Sequence, residues 1–243
     1  MADRNTIRRL VRELALKRAD LERIKESLTT TKETVYESTL QDLAQRLGIT
    51  TPPQVSGQVR LALAIESGNH ARSIVQTFNT DLAYYAFQFG RQLDEEELRR
   101  TLRAWAENRE ASRNPIIAIT ETAGPYADAL MAGFMEAGLG DALFDFGGRP
   151  EAGDEPPKCA ICAALVETSP HPLKRVIRIG NPHPGCRQNW HPRDLAKLIE
   201  QLASRDVQLG ARPAGIVGRP SLIHRAGNRA AAVRAIRSGR LPR

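Results

Sequence analysis

Apolar side chains recur at steps of three and four residues through the first part of the chain, which is the spacing of a helix with one buried face. The first such segment runs from Thr6 to about Leu28. Its apolar positions are Ile7, Leu10, Val11, Leu14, Leu21, Ile24 and Leu28. Four of them repeat every seven residues, as in a coiled coil, but Lys17 interrupts the second seam position. The pattern predicts a helix that either packs on its own domain or self-associates.

The same periodicity continues to Gly138 and predicts a helical domain over residues 1–148. Further helices are expected at 32–47, 55–89, 93–109 and 115–138, with a loop at 50–53 and a break at 68–69. Gly48 and Gly138 suit helix ends, because glycine readily adopts the left-handed conformation that often terminates a helix. Pro115 suits a helix start, because proline fits the first turn.

Residues 149–206 differ from the helical domain, since glycines and prolines replace the helical periodicity where this segment begins. Val176–Ile179 is the strand candidate, and a helix is expected from Pro192 to about Ser204. Residues 207–243 combine arginines with glycines and prolines that oppose a continuous fold. The predicted fold class is mainly α: a helical body, a small irregular zinc-binding module with little β structure, and a basic C-terminal arm, extended or partly disordered.

The composition of the 243-residue chain is that of a globular protein. Hydrophobic residues make up 41% and charged residues 26%, which excludes a wholly disordered or collagen-like protein. No apolar run approaches the roughly 20 residues of a membrane-spanning helix. The N-terminus lacks the apolar core of a signal peptide. We therefore expect a soluble protein, made in a cytoplasm, with no membrane partner.

Positive charge is concentrated at the C-terminal end. Of the 35 Lys and Arg residues, eight follow Asp206, after which no acidic residue occurs, and the other 27 face 28 Asp and Glu residues. The eight are Arg212, Arg219, Arg225, Arg229, Arg234, Arg237, Arg240 and Arg243. A basic tail on a near-neutral body predicts a polyanionic partner. We expect the arm to bind DNA without sequence preference, with 228–236 able to form a short helix on contact; docking on an acidic protein surface is the alternative.

All three cysteines lie within 28 residues, in two short motifs. Cys159-Ala-Ile-Cys162 comes first, and His183-Pro-Gly-Cys186 follows. Two thiolates separated by two residues can bind one tetrahedral ion, and a histidine and a cysteine three positions apart can do so from a second turn. The predicted site is a structural zinc ion bound by Cys159, Cys162, His183 and Cys186. His171 or His191 could replace His183, and three buried cysteines beside a surface imidazole are the alternative to any metal.

Catalysis is not expected at this site. Four protein ligands close a zinc shell, whereas a catalytic zinc keeps one position open for water. Zinc nucleobase deaminases share a P-C-x-x-C segment but also need an upstream H-x-E, and here Arg72 stands two residues after His70 where that glutamate must be. No nucleophile elbow, P-loop or dinucleotide fingerprint occurs. The sequence therefore predicts a protein that is not an enzyme.

Three segments form a motif set. They are Ile119-Thr-Glu121 with the run from Tyr126 to Gly138, then Cys159-x-x-Cys162, then Asn181-Pro-His183-Pro-Gly-Cys186-Arg187. Together they resemble the head-morphogenesis domain of minor capsid proteins from tailed bacteriophages, of the phage Mu F-protein type. In that family a helix near an (R)TE signature leads into a C-x-x-C, and P-x-H-P-x-C-R closes the domain. This chain has Ile119 in place of the family's arginine and Gln188 in place of its last cysteine, which leaves His183 as the fourth ligand.

The resemblance, which covers residues 70–190, implies a minor virion protein of the phage head that is synthesised in the bacterial host cytoplasm. The implied partners are portal and capsid proteins and, in some family members, packaged DNA; the implied role is head morphogenesis or DNA delivery. The N-terminal helix is then the expected element for portal contact or self-association. The competing interpretation is a DNA-binding regulator with a zinc module, because residues 232–242 are faintly similar to the recognition part of an excisionase-like helix-turn-helix. A maturation protease comes third and would need a nucleophile–base pair.

Overall fold

The computed structural model describes residues 1–147, 159–180, 182, 189–202, 207–211 and 221–242. In chain order the described elements are α1 Arg4–Leu14, α2 Arg18–Arg46, α3 Gly57–Gly90, α4 Glu95–Glu136, β1 Leu143–Gly147, α5 Ala160–Glu167, β2 His171–Pro172, α6 Leu173–Ile179, β3 Asn189–Pro192, α7 Leu195–Leu202, α8 Leu222–Ala226 and α9 Arg229–Ser238. The predicted mainly α fold with little β structure is confirmed at this level. Within this described part of the chain, no helix has the length and apolarity that a membrane crossing requires.

The N-terminal region forms two helices where one was predicted. Asp3 caps α1 by accepting the N–H of Thr6 at 2.7 Å, and α1 ends at Leu14. The interruption is held by Asn79, whose side chain accepts the Leu16 N–H at 2.8 Å and donates to the Leu16 carbonyl at 3.0 Å. The prediction of one helix from Thr6 to Leu28 is therefore wrong, because a residue 63 positions away satisfies the backbone of the break.

Three predicted helix boundaries are also absent. Helix α2 continues through residues 29–31, and α3 continues through Gly68. Helix α4 contains Pro115, which was predicted to start a helix. A proline inside a helix costs about 3 kcal/mol, and burial of α4 residues on both sides of it, such as Leu102 and Ala129, offsets that cost. The predicted loop at 50–53 and the positive φ of Gly48 and Gly138 at helix ends are confirmed.

Two compact units divide the chain. Unit 1 comprises Met1–Thr30 and Ala64–Ala118, and unit 2 comprises Thr31–Leu63 and Ile119–Arg243. The predicted domain 1–148 contributes to both. Unit 1 is helical, and its core consists of Ile7, Leu10, Phe78, Leu82, Ala86, Leu98 and Leu102. The N-terminal stripe thus packs within its own unit at Ile7, which is 4% exposed.

Unit 2 contains a three-stranded antiparallel sheet of order β2-β1-β3. Phe144 pairs with His171 on one side of β1, and Phe146 pairs with Trp190 on the other. The Phe146 and Trp190 rings lie 4.6 Å apart, and Phe144 stacks edge-on against Phe134 of α4 at 5.2 Å. The sheet and the second part of α4 therefore belong to the same core cluster, with Phe144 in contact with Phe134.

The segment predicted as the strand candidate is helix α6. Its residues Leu173, Val176 and Ile179 are all fully buried, at steps of three residues. This spacing places them on one helical face, and burial of that face outweighs the β preference of the Val-Ile run. The predicted strand at Val176–Ile179 is therefore wrong, and the strands present are short segments that carry weak periodicity. The predicted helix 192–204 corresponds to α7.

The C-terminal region is folded where the structure describes it. Residues 207–211 lie alongside residues 54–56, with the Leu209 and Gly210 carbonyls accepting the N–H groups of Gln54 at 3.0 Å and Ser56 at 2.9 Å. Residues 221–242 form α8 and α9, which bury Leu222, Ala232, Ile236 and Leu241 in the core of unit 2. The prediction of an extended arm is therefore wrong for residues 221–242, because burying these apolar side chains lowers the free energy of the folded chain.

Candidate metal centre and basic surface

Cys159 and Cys162 lie at the start of α5. Cys159 is the N-cap residue, and its Sγ accepts the backbone N–H of Cys162 at 3.4 Å. The carbonyl of Cys159 accepts the N–H of Ala163 at 2.9 Å and begins the helix. An N–H directed at the sulfur and the positive end of the helix dipole both favour a thiolate, the form of cysteine that binds zinc. This turn therefore suits two of the four predicted ligands.

Burial holds this turn in place. Ile161 is 1% and Cys162 3% exposed, whereas Cys159 is half-buried at the surface. Helix α5 packs against two separate elements, β1 and α9. The second half of the predicted set, His183 and Cys186, lies outside the described residues. Among the residues that the structure does describe, no cluster of three or more His, Cys, Asp and Glu side chains could hold a metal ion.

The two histidines considered as replacement ligands both contact backbone carbonyls. His171 Nε2 lies 3.2 Å from the Leu165 carbonyl oxygen, and His191 Nε2 lies 2.9 Å from that of Gly147. His171 is fully buried, with its ring edge-on to Trp190 at 5.5 Å. Burial lowers the pKa of His171, with Arg175 adding to the effect, while the bond to Leu165 and the charge of Asp145 oppose it. A neutral imidazole therefore belongs to the core of unit 2.

A buried ion pair in unit 2 was not anticipated. Lys32 Nζ lies 2.7 Å from Glu121 Oε2, with the lysine side chain 0% and the glutamate side chain 7% exposed. Glu121 belongs to the motif set, and the structure gives it this partner on α2. The position of Lys32 in the helical repeat could have revealed its burial, since it shares a helical face with Tyr36 and Leu43, four and eleven residues later.

A second group of polar residues surrounds Tyr36, which is fully buried. Burial raises the pKa of the Tyr36 phenol, and the carboxylates of Asp128 and Glu136 raise it further. Glu136 also accepts the N–H of Gly210 at 2.7 Å, which fixes segment 207–211 to the end of α4. Charged and polar groups are thus distributed along the interior of unit 2.

The arginines predicted to bind DNA have two different roles in the described region. The guanidinium of Arg225 donates to the carbonyls of Pro242 at 2.9 Å, Arg178 at 3.0 Å and Ile179 at 2.7 Å. This side chain caps the C-terminal end of α6. Arg237 pairs with Glu167 at 2.9 Å on the surface. Arg229, Arg234 and Arg240 are exposed, whereas Arg212, Arg219 and Arg243 lie outside the described residues.

In the described part of unit 2, the Cys159–Cys162 turn and the exposed arginines are two features that could bind a ligand. The first offers sulfur ligands and the second offers guanidinium groups to an anion. Comparisons of this chain with models of protein families, with curated proteins and with solved structures found no match to any of them.

Proposed function

We propose that this protein is a minor structural component of a tailed-phage head, associated with the portal vertex and with packaged DNA, and that it acts in head morphogenesis or DNA delivery. The proposal rests on the motif set that the sequence shares with minor capsid proteins. The observation that supports it best is the turn at Cys159, whose sulfur accepts the N–H of Cys162 at the start of α5. The role is not enzymatic, and the portal and capsid proteins are the proposed partners.

The proposed zinc ion is structural. Cys159 and Cys162 would hold it from α5, with His183 and Cys186 as the other two ligands. The donor set suits zinc, because thiolates and imidazole are its preferred ligands and four of them close a tetrahedral shell. Bound zinc would couple the fold around α5 to the metal, since a ligand set of this kind is rarely organised without it.

Elemental analysis of the purified full chain tests the metal directly. We expect one zinc per chain in the native protein and none in C159S/C162S. H224Q is the matched control, because His224 is exposed and bonds to Ser221 at 2.8 Å. Zinc-free native protein, prepared without chelator from zinc-supplied cells, would contradict the site. Equal zinc contents in C159S/C162S and H224Q would also contradict it.

The role in the head requires a different measurement. Mass spectrometry of particles purified from cells that express the chain is expected to detect a few copies per particle. C159S/C162S should be absent from particles while H224Q is retained, because only the first change loosens the proposed module. If the native chain is present in the soluble fraction but absent from the particles, the protein is not a head component, whatever its zinc content.

A DNA-binding regulator is the second candidate, and the arrangement of α8 and α9 favours it. The two helices are joined by Gly227 and Asn228, and short turns with glycine join the helices of helix-turn-helix proteins. Selection from random duplexes separates the two functions. A regulator enriches a defined site, whereas the head protein is expected to enrich none.

A further inference from the structure

The exposed arginines of α6, of α9 and of the residues that follow α9 form a folded basic surface on unit 2. We call it the arginine surface and define it by Arg178, Arg229, Arg234, Arg237 and Arg240, all of which are exposed. Arg234 and Arg237 are three positions apart in α9, which makes them neighbours on that helix. Sequence alone predicted that most of these residues would belong to an extended arm.

Two further arginines hold the surface together from beneath. One guanidinium, that of Arg225, bonds to the carbonyls of Arg178 and Pro242, so the end of α6 lies beside the residues that follow α9. The backbone of Pro242, two positions after Arg240, and the backbone of Arg178 thus share one guanidinium. Arg175 of α6 donates to the Ile236 carbonyl in the last turn of α9 at 2.7 Å. Arg225 and Arg175 are thus positioning residues, each capping the C-terminal end of another helix, where cations are favoured.

Among the residues that the structure describes, most arginines of the surface have no ion-pair partner. Arg237 pairs with Glu167, and both side chains are about 60% exposed, at 60% and 61%, so this pair is weak. Arg178, Arg229, Arg234 and Arg240 make no ion pair with any other described residue. Charges closer than a Debye length of about 10 Å, such as the neighbouring Arg234 and Arg237 of α9, add their fields and attract an anion with several charges.

The chemistry of the surface favours a phosphate backbone over a protein. Protein interfaces contain an apolar centre surrounded by polar residues. The large apolar residues of 221–242, including Leu222 and Ile236, are buried, and none of the exposed large apolar residues lies in this range. The exposed positions between the arginines are small, such as Ala230 and Ser238, so a backbone of phosphates can approach the guanidinium groups closely.

We propose that the arginine surface is a preformed binding site for the phosphate backbone of duplex DNA, without sequence preference. This inference rests on the DNA partner of the proposed function and names the surface that makes the contact. Because the guanidinium groups are carried by packed helices, binding needs no folding of a disordered arm and loses less conformational entropy.

The test compares two triple variants of the full chain with equal changes in charge. R229Q/R234Q/R240Q removes three arginines of the surface, and R4Q/R8Q/R12Q removes three exposed arginines of α1. Fluorescence anisotropy measures the affinity for a short duplex of random sequence over a series of salt concentrations. The surface variant is expected to bind at least about tenfold more weakly and to lower the log-log salt slope by about 2–3, since each lost phosphate contact contributes about 0.9. The α1 variant should stay within about twofold of the native chain.

R225K tests the positioning role. The charge is retained, but a lysine ammonium cannot bridge the carbonyls of Arg178, Ile179 and Pro242 as the planar fork does. We expect weaker DNA binding together with faster amide hydrogen exchange in α8 and α9, and no change in the exchange of unit 1. Native exchange in α8 and α9, or native DNA affinity, would refute the role of Arg225.

The outcomes separate this inference from the proposed function. Equal losses in the two triple variants, or unchanged binding by R229Q/R234Q/R240Q, would overturn the arginine surface while leaving DNA as a partner. Competition by poly-glutamate as strong as that by DNA, at equal charge, would assign the surface to an acidic protein and overturn the inference. A native chain without affinity for duplex DNA at low salt would remove DNA from the proposed function, and mass spectrometry of the particles would still decide the head assignment.

Discussion

Units 1 and 2 bury different kinds of side chain. The core of unit 1 is formed by aliphatic and aromatic residues, with Trp105 in contact with Phe78 at 5.6 Å and Tyr85 at 5.1 Å. Among the described residues of unit 1, Ser67 is the one buried polar residue. Unit 2 buries Lys32, Thr39, Glu121, Asp128, His171 and Ser221.

This difference has an energetic consequence. Apolar packing is non-directional and tolerates small adjustments, whereas a buried charge or imidazole must keep its partner. Unit 2 also depends on backbone contacts between distant segments, such as Leu209 with Gln54. Polar or conformational substitutions should therefore destabilise unit 2 more than unit 1. The four predictions that follow run from the largest effect to the smallest: two compare the units directly, and two test the contacts and the buried imidazole on which unit 2 depends.

Breaking the buried ion pair of unit 2 should have the largest effect. K32M removes the ammonium that faces the Glu121 carboxylate, while the glutamate side chain stays only 7% exposed. Removing one partner of a buried ion pair lowers the free energy of unfolding by about 3–5 kcal/mol. R9M in unit 1 removes an arginine that is 60% exposed and bonded to Glu95, and should cost less than about 1 kcal/mol. Urea denaturation measures both. Equal losses would show that the buried pair does not distinguish the units.

The next effect concerns Gly210 of segment 207–211. Its φ is +95°, and a Cβ would lie 2.6 Å from the Gln54 carbonyl oxygen. G210A therefore combines backbone strain with a steric overlap and should cost about 3 kcal/mol or more. Gly227 also has a positive φ, +82°, but no atom within 4 Å of its Cβ, so G227A should cost only about 1–2 kcal/mol. Similar values for the two variants would exclude tight docking of residues 207–211.

Helical glycines allow a direct comparison of packing. A Cβ on Gly133 of unit 2 would overlap Leu43 Cδ2, whereas a Cβ on Gly68 of unit 1 would meet only Lys25, at 3.9 Å. G133A should lower the unfolding free energy by about 1 kcal/mol, because overpacking exceeds the gain in helix propensity. G68A should raise it by about 0.5–1 kcal/mol. Thermal melts followed by circular dichroism would test the opposite signs.

The smallest expected effect is a pH dependence of the stability of unit 2. Burial lowers the pKa of His171 below its ordinary value of 6.5, so the unfolded chain takes up the proton first. The contribution of neutral His171 is complete above pH 6.5 and is lost as the pH falls toward the lowered pKa. Protonation would place a hydrogen on Nδ1, which is buried and has no hydrogen-bond partner in the described region.

The H171Q variant isolates this effect. Glutamine can still donate to the Leu165 carbonyl but does not titrate. Denaturation at several values between pH 7 and pH 5 should give a shallower loss of stability for H171Q than for the native chain. Parallel curves would indicate that His171 is not responsible for acid sensitivity.

The candidate site was predictable only in part. The spacing of Cys159 and Cys162 identified the residues at the start of α5, while the zinc ion and the ligands His183 and Cys186 stay predictions. Lys32 was missed because a lysine in an apolar helical phase is ordinarily assigned to the surface. The arginines at the C-terminal end were found by charge, but their division into Arg225, which caps a helix, and the exposed arginines depends on which carbonyls lie nearby.

The sequence by itself determined the mainly α fold and the helix ends at Gly48 and Gly138, because periodicity and the permissive φ of glycine act locally. The tertiary structure alone decided features whose energy comes from distant partners. Asn79 satisfies the break between α1 and α2, and burial of one face makes residues 173–179 a helix despite their β preference. Apolar side chains such as Ile236 draw the basic C-terminal segment into the core, because burying them outweighs the solvation of the arginine-rich arm that its charge, glycines and prolines had predicted.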